Sequence, residues 1–208
     1  MTNVSLINIG LIILAAGSAS RMGKPKQLLT YQGNSLISHI VKVGINSICE
    51  PVIVVLGAYA EQIKSQIDKL PIQIIENLDW ETGMSSSIRA GVNAINHSHP
   101  QLDAVIIALA DQPLISETAF NQLVQTYQTT ENTIIASAYG DVIGVPALFH
   151  RTFFPELINL GGDRGAKFLI GKDKNKDKVL SLSIPAAAID IDTPEDYENL
   201  LSIYSTPN

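Results

Sequence analysis

Ile7-Asn8-Ile9-Gly10-Leu11-Ile12-Ile13-Leu14, followed directly by Ala15-Ala16-Gly17-Ser18-Ala19-Ser20-Arg21-Met22-Gly23-Lys24-Pro25-Lys26, is the stretch that decides the fold. Its first half is almost wholly apolar, as in a strand buried on both faces of a parallel sheet. Its second half is small and polar, with two glycines, one arginine and two lysines. Small residues let a ligand approach the backbone closely, and free amides with the cations Arg21 and Lys26 can hold phosphate oxygens. The segment is neither G-x-x-x-x-G-K-[ST] nor G-x-G-x-x-G, which excludes the P-loop and the dinucleotide fingerprint. Any strand-to-helix loop can carry Gly, Ser and Lys for turn geometry alone. Here the joint spacing of Gly17, Arg21, Gly23 and Lys26 favours phosphate binding.

With 208 residues the chain makes one large domain or a compact two-lobed one, enough to bury a core. Hydrophobic residues at 46% against 16% charged predict a folded globular protein. No apolar run approaches the roughly 20 residues of a membrane span, and the N-terminus lacks the basic start of a secretory signal, so Ile7 to Leu14 reads as a strand. Cys49 is the one cysteine, which excludes an intrachain disulfide and reads as a core residue. The cytoplasm is the expected compartment. A net charge of -6 disfavours extended nucleic-acid binding, so phosphate must be met by local cations and a metal.

Apolar runs alternate with amphipathic stretches. Strands are expected at Val52 to Leu56, Ile72 to Ile75, Ala104 to Leu109, Ile134 to Tyr139 and Val179 to Ser183. Helices are expected at Ser35 to Ser47, Tyr59 to Ile67, Met84 to Ile95 and, capped by Ser116, Glu117 to Gln128. A last helix opens with Thr193 as cap and Pro194 in its first turn. This rhythm predicts an α/β fold with a mostly parallel sheet. Residues 141–183 break it, with Gly144 to Phe149, Gly161 to Lys167 and a charged run Lys172 to Lys178 that reads as a solvated loop. Ligands of open α/β sheets sit beyond the carboxyl ends of the strands. The first loop, the loop after Ile75 and Asp111 all lie there.

Asp111 ends an apolar strand and reads either as a turn-capping aspartate before Pro113 or as a Mg²⁺ carboxylate. Asp190 and Asp192 alternate along Asp190-Ile191-Asp192-Thr193-Pro194 and share a side if the segment is extended. One can face the site while the other caps the helix; Asp192 is preferred for the metal, with Asp190 second. The third element is Asn77 to Gly91, where a helix from Met84 offers free amides and Ser85-Ser86-Ser87 to a base or a phosphate. Capping by one serine is the simpler use. Trp80 reads as core and Arg89 as a surface helix residue. The four histidines lack metal-site spacing, and His97-Ser98-His99 reads as a loop before Pro100, so no zinc is expected.

With these residues in view the chain resembles the molybdenum-cofactor nucleotidyltransferases, most closely their cytidylyltransferase branch. The resemblance spans Ile9 to Asp196. It rests on L-A-A-G-S-A-S-R-M-G-K-P-K-Q-L-L, N-L-D-W-E-T-G-M-S-S-S-I-R-A-G, A-D-Q-P, G-V-P-A-L-F, G-G-D-R-G-A-K and D-I-D-T-P-E-D. The first and last also occur widely in sugar-nucleotide and cytidylyl transferases; W-x-x-G-M-x-x-S and G-D-x-G-A are more specific. Lys167 stands where the resemblance leads one to expect Arg, which keeps the charge and loses the bidentate fork.

The resemblance implies a three-layer α/β/α Rossmann-like nucleotidyltransferase fold in one domain, 1–208. A nucleotide-binding part would span about 1–115 and an acceptor part about 116–190. It implies nucleotide contacts from Leu14, Ala15, Ala16, Gly17, Ser18, Arg21, Met22, Gly23, Lys26, Gly83, Ser86 and Ser87. The triphosphate of CTP would lie over Ala16 to Lys26, and Ser87 with the Ala15 to Gly17 amides would read the base. Mg²⁺, or Mn²⁺, would sit on Asp111 and Asp192, with Asp190 as the alternative. Arg21, Lys26 and Asp111 would carry catalysis, and Gly144, Pro146, Asp163 and Lys167 would hold the acceptor. That acceptor would be molybdenum-molybdopterin, whose terminal phosphate attacks the α-phosphorus and expels pyrophosphate. A recipient molybdoenzyme is the implied protein partner; neither nucleic acid nor membrane is. Ala15 and Ala16 stand where the guanylyl branch typically carries a second glycine, which favours CTP. A GTP-using enzyme, a transferase for another phosphate and a carrier that hands the cofactor on are the alternatives.

Overall fold

The structure, a computed structural model, describes residues 7–205; the first six and last three residues of the expected domain lie outside the described residues. Its frame is a run of apolar strands joined by helices. In chain order they are β1 (Ile9–Ala15), the short strands β2 (Thr30–Tyr31) and β3 (Asn34–Ser35), and then α1 (Leu36–Asn46). There follow β4 (Val52–Leu56), α2 (Ala60–Lys64), β5 (Gln73–Glu76), α3 (Met84–Ser98), β6 (Ala104–Leu109) and α4 (Glu117–Thr129). The remainder is β7 (Ile134–Tyr139), β8 (Val142–His150), α5 (Phe154–Ile158), α6 (Lys167–Ile170), β9 (Val179–Ser183) and α7 (Pro194–Ser205).

The strands form one seven-stranded sheet in the order β5-β4-β1-β6-β8-β7-β9, beside the small antiparallel β2-β3 pair. All sheet pairings are parallel except those of β8, which runs antiparallel between β6 and β7. Alternation along the strands splits the core in two. Leu11, Ile13, Val54 and Ile106 pack against Ile40 of α1 and Phe120 and Leu123 of α4. Ile12, Leu14, Val55 and Ile107 pack against Ile88, Val92 and Ile95 of α3 and Leu157 of α5. The result is the expected three-layer α/β/α arrangement. Local chemistry sets the helix starts: the Ser35 hydroxyl accepts from Ser38 N at 3.3 Å and Ser116 from Ala119 N at 3.3 Å. No helix among the described residues is long and apolar enough to cross a membrane.

Several expectations are corrected. The strand β8 went unassigned because Gly144 and Pro146 punctuate it; its pairing survives through a bulge at Ala136/Ser137, where the Ser137 hydroxyl donates to Pro146 O. Helix α2 stops at Lys64 rather than Ile67, because i→i+3 bonds such as Ile67 N to Lys64 O take over and tighten the chain. Helix α3 runs on to Ser98 and takes in His97 and Ser98, which were expected in a loop. The charged run folds as a 3₁₀ turn, Asp173–Lys178, pinned by buried Asn175, whose amide donates to Leu169 O at 2.7 Å.

Candidate active site

The carboxyl ends of β1, β4 and β6 lie in register, with Ala15 opposite Leu56 and Leu14 opposite Leu109, so their following loops emerge side by side. The loop after β1 has its carbonyls turned inward. Leu14 O accepts from Ala110 N at 3.0 Å and Ala16 O from Ala58 N at 3.0 Å. Ala15 O and Gly17 O both accept from the Gln27 side-chain amide, at 3.3 and 3.0 Å. The amides of Ala16, Gly17 and Ser18 have no hydrogen-bond acceptor among the described residues. A turn with its carbonyls held and its amides free is able to receive an anion. The Met22 side chain, expected at the nucleotide, is instead buried with Leu29, Tyr31 and Ile191, and anchors the loop from below.

The two cations of this loop meet two carboxylates from far along the chain. The Lys26 ammonium donates to Asp111 Oδ2 at 2.6 Å and to Asp192 Oδ1 at 2.8 Å. The Arg21 guanidinium donates to Asp192 Oδ2 at 2.7 Å. Burial by itself would lower the Lys26 pKa, but the charges and hydrogen bonds of the two aspartates outweigh it and hold it above its ordinary value. Burial would likewise raise Asp192, yet Lys26 and then Arg21 keep it below the usual carboxylate value. The tail carrying Asp192 is fixed by fully buried Ile191, whose N–H donates to Asp111 O at 2.9 Å, and by Asp196, which accepts from Asp192 N at 3.1 Å. Asp190 and Asp192 both point away from the core around Ile191, though no strand forms there; only Asp192 shares Lys26 with Asp111. Asp190 is pushed up to about 6, by burial first and then by the charge of Asp111.

These groups fit a divalent cation. Asp111 Oδ1 is buried without a hydrogen-bond partner, so the carboxylate that Lys26 touches through Oδ2 keeps an acceptor in hand. Among the described residues no three His, Cys, Asp or Glu side chains form a metal cage. Two carboxylates that leave the remaining positions to water and phosphate suit Mg²⁺ or Mn²⁺ better than a cage would.

Two adjoining clefts open beside this centre. The first, about 330 Å³, is lined by Ala16, Gly17, Ser18, Trp80, Gly83 and Ser87, among others. Trp80 was expected in the core; it is half-buried and stands on this wall. Gly57 makes that possible, since a Cβ there would fall 2.6 Å from Trp80 Cβ and 2.8 Å from Ala16 Cβ. Its place three residues before Gly83, at the helix start, was the one available signal. Ser86 is corrected as a ligand contact: it is buried, donates to Gly83 O at 2.8 Å and accepts from the Asn77 amide at 2.8 Å. Ser87, held by the same Asn77 amide at 3.0 Å, reaches the cleft. Gly83 has φ +105°, and a Cβ there would strike Gly162 O, so the 162–163 loop closes directly over the start of α3.

The second cleft, about 320 Å³, is lined by Leu14, Gln112, Tyr139, Val145, Lys167 and Asp190, among others. Asp163 and Met84 belong to both clefts and form their shared wall. Gly144 and Pro146 are corrected: both are buried, and strand alternation presents Val145 between them instead. Val145 lies within the Gly144 to Phe149 segment expected on the acceptor side, whereas Tyr139 and Gln112 escaped the sequence reading because nothing local marks which face of a strand or turn they take. A larger cavity, about 630 Å³, opens at the opposite end of the sheet beside Cys49 and Pro51.

A mostly parallel sheet that delivers free amides, two cations and two carboxylates to one edge presents groups that could hold a phosphorylated ligand and a divalent cation. The chain belongs to the MobA-like NTP transferase domain family, whose model matches residues 11–178. It is 30% identical over 201 residues to nicotine blue oxidoreductase of Paenarthrobacter nicotinovorans, covering 91% of this chain and 95% of that one. It is 32% identical to purine catabolism protein PucB of Bacillus subtilis (strain 168), covering 90% and 93%. The molybdenum cofactor cytidylyltransferase of Escherichia coli (strain K12) is 25% identical, covering 91% and 93%. Among solved structures, the manganese complex of Rv0371c from Mycobacterium tuberculosis H37Rv superposes with a TM-score of 0.78 at 26% identity, covering 94% and 98%. Molybdopterin-guanine dinucleotide biosynthesis protein A from Archaeoglobus fulgidus shares the fold, with a TM-score of 0.70 at 17% identity over 94% and 98%.

Proposed function

We propose that this chain transfers CMP from CTP to the terminal phosphate of molybdenum-molybdopterin and releases pyrophosphate. The observation that carries nucleotidyl transfer is the convergence of Lys26, Asp111 and Asp192 beside the free amides of the β1 loop. The cytidylyl and molybdopterin terms are supported by the motif resemblance and by the E. coli relative's name. In this reading the amides of residues 16–18 bind the triphosphate, and Ser87 and Trp80 bound the base. Asp111 and Asp192 would hold Mg²⁺ or Mn²⁺, which when bound neutralises charge on the phosphates and polarises the reacting phosphorus. Arg21 and Lys26 stabilise charge that builds on the leaving pyrophosphate. Lys167 draws the acceptor's anionic group into the second cleft. The acceptor phosphate loses its second proton near pH 6, so it attacks already ionised and no side chain need take a proton. Positioning and charge neutralisation then supply the catalysis. In this reading the acceptor part lends Asp163 to the first cleft and the nucleotide part lends Leu14 to the second.

The test is competition between equal CTP and GTP with molybdenum-molybdopterin as acceptor, scored by the dinucleotide product. The cytosine dinucleotide is expected to predominate, because the Ala16 methyl lines the first cleft where a second glycine would leave room, while the Ala15 methyl packs in the core. Ala16→Gly is expected to relax the preference by on the order of 1–3 kcal/mol, the size of a pocket-volume effect. A guanine product from the unaltered chain would reverse the base assignment and leave the transfer chemistry standing. Binding without pyrophosphate release would instead make the protein a carrier.

A further inference from the structure

Gln27 follows Lys26 on a short 3₁₀ turn, Lys26–Leu28, and its side chain is 3% exposed. Its amide nitrogen donates to two carbonyls of the β1 loop, Ala15 O and Gly17 O. The other two carbonyls of that turn, of Leu14 and Ala16, are taken by the backbone amides of Ala110 and Ala58, just past the ends of β6 and β4. Gln27 is therefore the one side chain, among the described residues, that hydrogen-bonds to the carbonyls of the turn. Its Oε1 is buried and unpartnered, so it tethers nothing else. The reverse orientation of the amide would set that oxygen against two carbonyl oxygens, which fixes the donor toward the loop. Holding Ala15 O and Gly17 O inward sets the peptide planes that carry the amides of Ala16 and Ser18, and so aims those two amides away from Gln27; the Gly17 amide is set by Ala16 O, which Ala58 N holds. The turn needs such a tether because it leaves the sheet at Ala15 and carries left-handed Ala19, φ 51°, further along.

We infer that Gln27 is a positioning residue for the nucleotide, one that preorganises the β1-loop amides without touching the ligand, an inference that rests on the nucleotidyl-transfer reading above. An isosteric apolar residue keeps the packing and removes the donor, leaving two carbonyls free to rotate and the amides unaimed. Preorganisation of this kind acts on binding and on the transition state together.

The test uses Gln27→Met in the full-length chain, read by melting temperature and by titration with CTP and Mg²⁺. Trp80, the one tryptophan, lines the first cleft and supplies a fluorescence signal for nucleotide binding. Isothermal titration provides the check that does not depend on it. Gln27→Met is expected to fold, with CTP affinity lowered at least about tenfold and kcat falling as KM rises. Gln27→Glu, which keeps the length but sets a carboxylate against two carbonyls, is expected to bind more weakly still. Wild-type affinity in a folded Gln27→Met or Gln27→Leu overturns the inference. Failure of both to fold also overturns it, by making Gln27 a residue of the scaffold alone. A wild-type chain that binds no nucleoside triphosphate by either method refutes the nucleotidyl-transfer reading itself. Tight binding by the wild type with no loss in the variants refutes only the role of Gln27.

Discussion

Asp111→Asn is expected to lower turnover by about 10²–10⁴-fold while the protein remains folded. The amide keeps the shape of the carboxylate but loses the charge that a divalent cation needs, and a metal acting as Lewis acid is worth several kcal/mol at the transition state. Folding survives because Lys26 keeps its second partner, Asp192, at 2.8 Å. Asp190→Asn serves as the comparison. Asp190 makes no salt bridge with Lys26 and lies on the second cleft, so its replacement is expected to cost far less. The measurement is steady-state pyrophosphate release across a Mg²⁺ titration, with a thermal melt of each variant. Near-normal turnover by Asp111→Asn would remove Asp111 from the metal site. Inactivity of Asp190→Asn with an active Asp192→Asn would exchange the two tail carboxylates.

Lys26→Met is expected to have the second-largest effect, raising the nucleotide KM and slowing turnover together. Its side chain is 12% exposed and its ammonium sits between two carboxylates, so its charge is poorly screened there. Removing it also leaves Asp111 without a counter-charge and Asp192 with Arg21 alone, at a cost in stability of roughly 2–4 kcal/mol. Lys24→Ala is the internal control: Lys24 is exposed and makes no salt bridge among the described residues. Equal kinetic effects from the two lysines would show that the register of the loop has been misread.

The pairing carries a pH signature of definite sign. Lys26 has its pKa raised above 10.5, so its contribution is complete below that value and fades as pH climbs through the raised one. Asp192 has its pKa lowered below 3.8, so its contribution is complete above that value and fades as pH falls through the lowered one. The stability difference between wild type and Lys26→Met should therefore be flat across neutral pH and shrink toward both extremes. A difference that grows toward either extreme would contradict the ion-pair assignment.

Much of the fold was legible from local pattern. Val52–Leu56, Ala104–Leu109, Ile134–Tyr139 and Val179–Ser183 fall where their apolar runs begin and end. Burial on both faces leaves a continuous apolar signal in Val52–Leu56 and Ala104–Leu109, bounded by polar or turn-forming residues, whereas the edge strand Val179–Ser183 shows alternation. Ser116 caps the helix it was expected to cap, and Ser35, expected as the first residue of its helix, proves to be its cap; capping is decided within three residues of the cap itself. The strand β8 was not legible, since its Gly and Pro signal a break that only its pairing with β6 and β7 overrides.

The sequence by itself determined that this is an α/β chain and that a small-residue loop with Arg21 and Lys26 leaves the first strand. It also placed Asp111 at the end of a buried strand. All of these follow from interactions between residues near in sequence, or from the rule that parallel strands present their carboxyl ends together. Only the tertiary structure decided which groups meet. Lys26 joins Asp111 across 85 residues and Asp192 across 166, a contact set by sheet register and by Ile191 in the core. Only the fold turned Met22, Ser86 and Pro146 inward and brought Trp80, Tyr139 and Gln112 to the clefts. The physical reason is the same in each case. Residue type fixes what a side chain can do, whereas its direction is settled by non-local packing, which composition and spacing do not encode.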